Sequence, residues 1–288
     1  MTDGALTVIR AGALTTVQDL GRYGHAHLGV PRSGALDLPT LRLVNRLVGN
    51  PEGAAVLETT LDGCAVRPRR AVTAVVAGAP CPVSVDGRPA PWGAPVHVPA
   101  GAVLDIGAAV SGVRGYVAFG GGIAVAPVLG SRSTDLLSGL GPAPLRVGTV
   151  LPLGRARGRA VPADAVPFPA PPAELVLRVR FGPRDDWFTD AALRTLVTRV
   201  YRVSSASNRI GLRTEGPPLE RAVTGELPSE GLVTGAVQVP PDGLPVVFLA
   251  DHPTTGGYPV VAVVRERDLA AAAQAPPGTP VRFSAAGR

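Results

Sequence analysis

Short apolar runs, each closed by glycine or proline, are the feature that most constrains the fold of this chain. In the first half they recur about every six to twelve positions, as in AVTAVVAG at 71–78 and VRGYVAFGG at 113–121. Turn residues are plentiful, because the sequence holds 36 glycines and 31 prolines. This spacing predicts an antiparallel barrel or sandwich, and it does not fit a repeat of strand, helix and strand.

Helical periodicity interrupts the strand pattern at a few places. The first is 38–48, with Asp37 available as the N-terminal cap, and the second is roughly 185–198, with Asp185 and Asp186 at its start. A short helix is also expected in RERDLAAAAQ at 265–274. We therefore predict a mainly β chain with two β-barrel-like subdomains, each carrying one or two short helices.

A segment rich in proline, alanine and arginine divides the chain near its middle. Residues 156–173 have no sustained apolar period, which is typical of a linker or an extended crossing segment. The predicted subdomains are 1–155 and 174–288, and the N-terminal segment could also pack with the second. Arg22 and Arg209 open stretches with the same glycine and proline spacing, which indicates either a distant duplication or chance in a chain rich in both residues.

The basic residues exclude several chemistries. All 28 of them are arginine. A P-loop needs a lysine on the phosphates, a Schiff-base enzyme needs an amine, and a biotin carrier needs a lysine to modify. None of these functions can reside in this chain, so covalent biotin is not expected on it.

Charge and cysteine usage narrow the range of partners. The net charge is +6, but the arginines are scattered and aromatic residues make up only 4% of the sequence, so nucleic-acid binding is not predicted. Cys64 and Cys81 have no metal-binding spacing, and no metal site is expected. The sequence has no apolar run of membrane-spanning length and no signal-like N-terminus, which favours a cytoplasmic protein without a membrane partner.

The stretch LADHPTTGGYP at 249–259 concentrates polar residues between two apolar runs. We predict catalytic roles for four of its side chains: an acid and an imidazole that could move a proton, a hydroxyl donor, and a phenol that could orient a substrate. They are Asp251, His252, Thr255 and Tyr258. The alternative is an elaborated hairpin, in which the acid caps a turn and the phenol packs on the barrel.

Further residues of the same glycine-rich segments are predicted to bind substrate. Arginine offers a planar fork for carboxylates or phosphates, and glycine lets the backbone approach a ligand or adopt a positive φ. The predicted binding residues are Arg22, Arg32, Arg209, Glu230, Gln238, Thr254, Gly256 and Gly257. Asp19 and Glu58 are acids that could pair with the arginines.

Several motifs together resemble one protein family over nearly the whole chain. They are TVQDLGRYG at 16–24, GVPRSGALD at 29–37, NPEGAAVLE at 50–58, GSRSTD at 130–135, SNRIGLRTEGPPLE at 207–220, and SEGLVTGAVQVPPDGLP at 229–245, followed by LADHPTTGGYP. With these motifs the chain is identified as a member of the biotin-dependent carboxyltransferase subdomain A/B family. That family includes the KipA-like proteins, the second subunit of allophanate-hydrolase-like complexes and the C-type subunit of 5-oxoprolinase.

The resemblance implies a fold, an activity and partners. The fold would be mainly β with a cyclophilin-like barrel. The activity would be that of the C-type subunit of an ATP-dependent 5-oxoprolinase, which opens 5-oxoproline to L-glutamate and is inactive or nearly so as a lone chain. The partners would be a B-type subunit of the same family and an A-type, LamB/YcsF-like subunit, with ATP bound in the complex. Many relatives carry Arg-Gln where this chain has His252-Pro253, which leaves the role of position 252 open.

Two other functions fit the same resemblance. One is carboxyl transfer from a biotin carrier on a separate chain to urea or a similar amine, as in the second subunit of an allophanate hydrolase. The other is a KipA-like regulatory binding protein, which needs only surface complementarity. Both the lactam and the urea-like substrate present a carbonyl and an N–H, so arginine clamps and a glycine cradle would suit either.

Overall fold

The computed structural model describes residues 4–156, 158–161 and 173–285. Most of the predicted linker, 162–172, therefore lies outside the described residues. The described chain forms two compact units: 4–22, 33–135, 139–156 and 158–161 belong to the first, and 23–32, 136–138 and 173–285 to the second. Two short segments from the N-terminal half thus belong to the second unit, which the turn signals alone did not indicate.

The first unit consists of two sheets and one helix. Its strands are β1 (Ala5–Arg10), β2 (Leu14–Gln18), β3 (Val56–Thr60), β4 (Cys64–Pro68), β5 (Val72–Gly78), β6 (Val83–Val85), β7 (Arg88–Pro89), β8 (Val96–Val98), β9 (Leu104–Ile106), β10 (Arg114–Phe119) and β11 (Val150–Pro152). The six-stranded sheet has the order β11-β1-β4-β9-β6-β7, and the five-stranded sheet has the order β2-β3-β10-β5-β8. The sequence predicts either a barrel or a sandwich. The strands of the first unit form two separate sheets, as in a sandwich.

The core of the first unit lies on both faces of the five-stranded sheet. One cluster joins the two sheets and includes Leu6, Leu57 and Phe119. The other lies beneath helix α1 (Leu38–Leu47) and includes Leu41 and Val44. The predicted cap is confirmed, because the Asp37 carboxylate accepts a hydrogen bond from the Thr40 amide at 3.0 Å.

The second unit is built around a closed barrel. Its elements are β12 (Leu175–Phe181), α2 (Asp190–Thr198), β13 (Val200–Val203), β14 (Gly211–Glu215), β15 (Glu230–Gly231), β16 (Ala236–Gln238), β17 (Val246–Phe248), β18 (Thr255–Gly256), β19 (Val260–Val264), α3 (Glu266–Ala273) and β20 (Pro280–Ala285). The barrel order is β12-β19-β16-β17-β14-β13-β20, and β15 pairs with β18 in a separate two-stranded sheet. The predicted mainly β class with a barrel is confirmed.

Period-two burial shows how the barrel fills its interior. Along β12, Leu175, Leu177 and Val179 are buried while Val176 is exposed, as a strand with one face on a core requires. All neighbouring barrel strands run antiparallel except β12 and β20, which are parallel. Among the described residues, no helix is long and apolar enough to cross a bilayer.

The second predicted helix begins later than its acidic residues indicated. Asp185–Trp187 form only a short 3-10 turn, and Phe188 is extended at φ −118° and ψ 152°. Helix α2 starts at Asp190, because the Thr189 side chain accepts a hydrogen bond from the Ala192 amide at 3.1 Å. The true cap is therefore a threonine inside the segment that periodicity assigned to the helix.

Candidate functional site

The polar stretch 249–259 does not close a hairpin. It leaves β17 at Phe248 and enters β19 at Val260, yet β16 lies between these strands and pairs with both. The stretch, called the polar loop below, must therefore pass over the end of β16. The hairpin alternative was wrong because strand pairing in a barrel is set by long-range contacts and not by sequence order.

Segment 230–239 holds the polar loop along its length. The Leu232 amide donates to the Thr254 carbonyl at 2.9 Å, and Glu230 and Gly231 pair with Gly256 and Thr255. The far end is held in the same way, since the Gln238 side-chain amide donates to the Tyr258 carbonyl at 3.0 Å. These bonds use backbone groups of the loop and leave its side chains to other roles.

Asp251 and Arg209 form a fully buried ion pair at the start of the loop. The guanidinium Nε and Nη2 each lie 2.9 Å from one carboxylate oxygen, which is a bidentate arrangement. Both side chains have 0% exposure. The Leu136 amide also donates to Asp251 Oδ2 at 3.2 Å, and the Asp251 amide donates to the Arg209 carbonyl at 3.1 Å.

This pairing changes the meaning of two predicted site residues. The sequence predicts that Arg209 clamps a substrate anion and that Asp251 moves a proton. In the structure each neutralises the other away from solvent, so the pair anchors the loop to the barrel strand β14 that follows Arg209. The sequence motifs identify both residues as candidates, but they cannot show that the two side chains contact one another.

His252 is the next residue and is also buried. Its Nδ1 lies 2.6 Å from the Pro253 carbonyl and its Nε2 lies 3.2 Å from the Thr234 hydroxyl oxygen. The His252 ring also packs beside Phe248, with ring centroids 5.9 Å apart. Sequence reasoning missed Thr234, although it lies in the same family motif as Glu230 and Gln238.

Glu230 lies at the rim of the polar loop and binds an arginine that the sequence analysis did not single out. Arg184 Nε is 3.0 Å from both carboxylate oxygens, and Arg184 Nη2 contacts Oε1 as well. Hydrogen bonding from this guanidinium holds the pKa of the Glu230 carboxyl below its ordinary value. Glu230 is therefore a charged partner of Arg184 that fastens one edge of the loop's two-stranded sheet.

The two glycines of the loop allow neighbouring groups to pack closely against its backbone, and neither glycine is needed for an unusual backbone angle. Neither Gly256 nor Gly257 has a φ in the left-handed range, contrary to one of the two reasons for which glycine is expected there. A Cβ on Gly256 would lie 2.8 Å from both Gln238 Nε2 and Leu232 Cδ1. Glycine at 256 thus allows segment 230–239 to pack directly against the loop backbone.

The accessible edge of the loop carries the remaining predicted residues. Thr255 is exposed, Tyr258 is 44% exposed, and Thr254 and Gly257 are partly exposed. The Gly257 amide makes no hydrogen bond with another described residue, so it is available as a donor. A hydroxyl, a phenol and an amide N–H are each donors of the kind that can bind a carbonyl or carboxylate oxygen.

Arg32 is also found in the second unit, within the short segment 23–32. Its guanidinium carbon lies 4.3 Å from the centre of the Tyr23 ring, a cation–π contact. Tyr23 is 58% exposed and Arg32 is partly exposed. Arg32 therefore remains reachable by an anion.

Arg22 belongs to the first unit and is buried there. Its Nε donates to the Val128 carbonyl at 3.2 Å, and its Nη2 donates to the Ser133 carbonyl. A Cβ on Gly141 would lie 2.7 Å from Arg22 Nη2. The side chain predicted to bind substrate therefore ties together two loops of its own unit.

Asp19 lies in the same cluster and is held by uncharged donors. The Ser131 and Ser133 hydroxyls each donate to Oδ1 at 2.6 Å, the Gly21 amide donates to Oδ1 at 2.8 Å, and the Arg132 amide donates to Oδ2 at 2.6 Å. The expected arginine side-chain partner does not appear among these contacts. The family motifs at 16–24 and 130–135 thus form one folded cluster.

Glu58 has a structural role next to helix α1. Its Oε2 accepts hydrogen bonds from the Tyr116 hydroxyl at 2.8 Å and from the Leu36 amide at 3.0 Å. Burial, followed by the neighbouring Glu58 charge, raises the pKa of the Tyr116 hydroxyl well above its ordinary value. Tyr116 therefore stays protonated and acts as a donor that fixes the carboxylate.

The amino-acid sequence matches one known family over almost the whole chain. The family model of the carboxyltransferase domain, subdomain A and B, matches residues 28–285. The chain is 39% identical to the C-type subunit of 5-oxoprolinase from Escherichia coli over 285 residues, covering 96% of this chain and 90% of that protein. It is also 33% identical to urea amidolyase of Lachancea kluyveri, covering 97% of this chain but only 17% of that protein.

A solved structure shares the same fold. The crystal structure of TTHA0988 aligns with a TM-score of 0.89 and 40% sequence identity, and the alignment covers 98% of this chain. This chain spans 56% of the length of that chain. The described fold therefore occurs both at nearly full length in one relative and as a part of longer proteins.

Proposed function

Because this chain belongs to the carboxyltransferase subdomain A and B family, we propose that it is the C-type subunit of an ATP-dependent 5-oxoprolinase that opens 5-oxoproline to L-glutamate. The observation that carries the proposal is the 39% identity to the E. coli 5-oxoprolinase protein across 96% of this chain and 90% of that protein. A match that covers both proteins almost end to end favours the same role in the enzyme over a shared domain with a different role.

A multi-protein assembly is part of this proposal, because the 5-oxoprolinase relatives are themselves subunits. We propose that the partners are a B-type subunit of the same family and an A-type, LamB/YcsF-like subunit, and that ATP binds in the complex. The TTHA0988 chain is nearly twice as long as its aligned part, so a relative can carry additional sequence on the same polypeptide. On this proposal the lone chain has little or no activity.

The accessible edge of the polar loop supplies groups that fit this substrate. 5-Oxoproline presents a lactam carbonyl, an N–H and a carboxylate. We assign the Thr255 hydroxyl and the Gly257 amide as donors to the lactam oxygen, where negative charge grows as the ring opens. Tyr258 would orient the ring, and the buried Arg209–Asp251 pair would hold the loop in position without touching the substrate.

Reconstitution tests the proposal. The chain is co-expressed with A-type and B-type subunits from the same source, and glutamate is measured after addition of 5-oxoproline and ATP. We expect glutamate release by the three-protein complex that depends on ATP, and little or none from this chain alone. A complete, co-eluting complex that consumes no 5-oxoproline would contradict the proposal.

Urea-dependent carboxyl transfer is the second candidate, supported by the match to urea amidolyase over 97% of this chain. These 288 residues contain no lysine, so carboxybiotin would have to be delivered by a carrier that lies outside them. The two functions separate in one assay of the complex. Consumption of urea with a biotinylated carrier, and none of 5-oxoproline, would favour the second candidate.

A further inference from the structure

Thr234 occupies a tight turn that connects segment 230–232 to barrel strand β16. The Ala236 amide donates to the Val233 carbonyl at 3.0 Å, which closes the turn around Thr234 and Gly235. Gly235 has a φ of 87°, and an added Cβ would lie 3.0 Å from the Val264 carbonyl oxygen, so only glycine fits there. The turn therefore fixes the backbone of Thr234, which is a partly exposed residue.

A directed hydrogen-bond chain runs from the Thr234 hydroxyl through His252. The Pro253 carbonyl can only accept a hydrogen bond, so the nitrogen 2.6 Å from it, Nδ1, carries the proton in the neutral ring. Nε2 is then an acceptor, and the Thr234 hydroxyl at 3.2 Å donates to it. This is the order of groups that activates a hydroxyl: nucleophile, base, and an acceptor that fixes the base.

Backbone donors accompany the hydroxyl. The amides of Val233 and Thr234 make no hydrogen bond with any other described residue. Val233 is 55% exposed, so solvent reaches this part of the turn. Two neighbouring amide N–H groups next to a nucleophile are the kind of donors that stabilise an oxyanion in acyl transfer.

We propose that Thr234 and His252 form a nucleophile–base pair that accepts an acyl group from an activated ester. The Thr234 Oγ attacks the acyl carbonyl, the bond from the acyl carbon to the leaving oxygen breaks, and the hydroxyl proton passes to His252 Nε2 and then to the leaving oxygen. The products are an acyl ester on Thr234 and the free alcohol or phenol. This activity uses only the second unit and is independent of the 5-oxoprolinase proposal.

The pair differs from the other hydroxyls of the polar loop. Thr255 is more exposed than Thr234, but no hydrogen bond among the described residues joins its hydroxyl to a histidine. Reactivity that followed exposure alone would therefore favour Thr255. Reactivity that followed activation would favour Thr234.

The test uses the purified full chain and p-nitrophenyl acetate as the acyl probe. Release of p-nitrophenol is followed in time, and the acetylated residue is located by peptide mass spectrometry. We expect about one acetyl group per chain, on Thr234, with release slowed roughly a hundredfold or more in Thr234→Val and His252→Phe. Thr234→Ser should keep the reaction, and Thr224→Val, which changes an exposed threonine elsewhere in the unit, should not alter it.

Several results would overturn this proposal. They are acetylation spread over other residues with none on Thr234, a Thr234→Val variant that reacts like the parent chain, or an unreactive Thr234→Ser variant with the parent's melting temperature. Melting curves of all variants separate lost chemistry from lost folding. Because Thr234→Ser retains the hydroxyl, it keeps the test valid even if Thr234→Val is unstable.

Discussion

Each unit of the molecule has a buried aspartate in a glycine-rich motif, Asp19 in the first and Asp251 in the second, and these two are stabilised in opposite ways. In the second unit Asp251 meets the guanidinium of Arg209, charge against charge, with both side chains fully buried. In the first unit Asp19 is surrounded by the hydroxyls of Ser131 and Ser133 and by backbone amides. The buried carboxylate of Asp251 is therefore stabilised chiefly by one charged partner, whereas that of Asp19 is stabilised by several neutral donors.

The two aspartate clusters should respond differently to mutation. A buried ion pair has two charges that each need the other, so removal of one leaves the second uncompensated. A carboxylate held by several neutral donors loses them one at a time, because each contributes a modest amount. Loss of a single partner should therefore destabilise the second unit strongly at the Arg209–Asp251 pair, whereas loss of a single donor to Asp19 should destabilise the first unit only modestly.

The largest effect is expected for Asp251→Ala. The substitution leaves the Arg209 charge buried without its carboxylate, which should reduce the free energy of unfolding by about 3–5 kcal/mol. Urea unfolding followed by circular dichroism measures this change. The double variant Arg209→Met with Asp251→Leu should recover most of the loss, because it leaves no buried charge unpaired. A double variant no more stable than Asp251→Ala would show that an uncompensated Arg209 charge is not the cause of the loss.

Asp19→Asn should reduce the free energy of unfolding by less than Asp251→Ala does. The asparagine oxygen can take the place of Oδ1 and keep three donors, so only the contact between the Arg132 amide and Oδ2 is lost. We expect a decrease of about 1–3 kcal/mol in unfolding free energy. The same urea measurement applies, and a loss as large as that of Asp251→Ala would remove the proposed difference between the units.

Gly256→Ala tests the packing that brings segment 230–239 against the polar loop. The new Cβ would lie 2.8 Å from Gln238 and Leu232 side-chain atoms, whose movement should cost about 1 kcal/mol or slightly more. Gly225→Ala is the matched control, because a Cβ there meets nothing within 4 Å. Equal melting temperatures for the two variants would show that the close approach at Gly256 is not needed.

The smallest effect is expected at the partly exposed pair of Arg184 and Glu230. The pKa of Glu230 is lowered below its ordinary value of 4.5 by hydrogen bonding from Arg184, so the folded state favours the charged carboxyl. Its contribution to stability is present above about pH 4.5 and is lost as the pH falls through the lowered pKa. Melting temperatures of the parent and Glu230→Gln should differ slightly at neutral pH and converge in acid, whereas a constant difference would contradict this assignment.

Local signals in the sequence are sufficient for most elements of both units. The strand β5 and the helix α1 with its Asp37 cap follow from apolar spacing and from a side chain that can bond the first turn. The start of α2 does not follow, because Asp185 and Thr189 are both good caps and tertiary packing decides between them. Membership of residues 23–32 in the second unit also depends on contacts distant in sequence.

Residue types in the sequence are enough to locate the candidate site. They do not show which of its residues are buried and which are exposed. Asp251, His252 and Thr255 are consecutive or nearly so, and their residue types alone do not rank them. The structure buries the first two and exposes the third. Burial of Asp251 depends on Arg209, which lies 42 residues earlier in the chain, and no local pattern reports such a pairing.

We propose that buried residues of the second unit build the polar loop and that its exposed edge acts on the substrate. The most direct test compares melting temperature with 5-oxoproline turnover for Thr255→Val and Tyr258→Phe in the reconstituted three-protein complex. We expect parent-like melting for both, with turnover lowered about 10²–10³-fold in Thr255→Val, as for loss of one donor to a developing oxyanion, and a smaller decrease in Tyr258→Phe. Parent-like turnover in both variants would contradict the proposal.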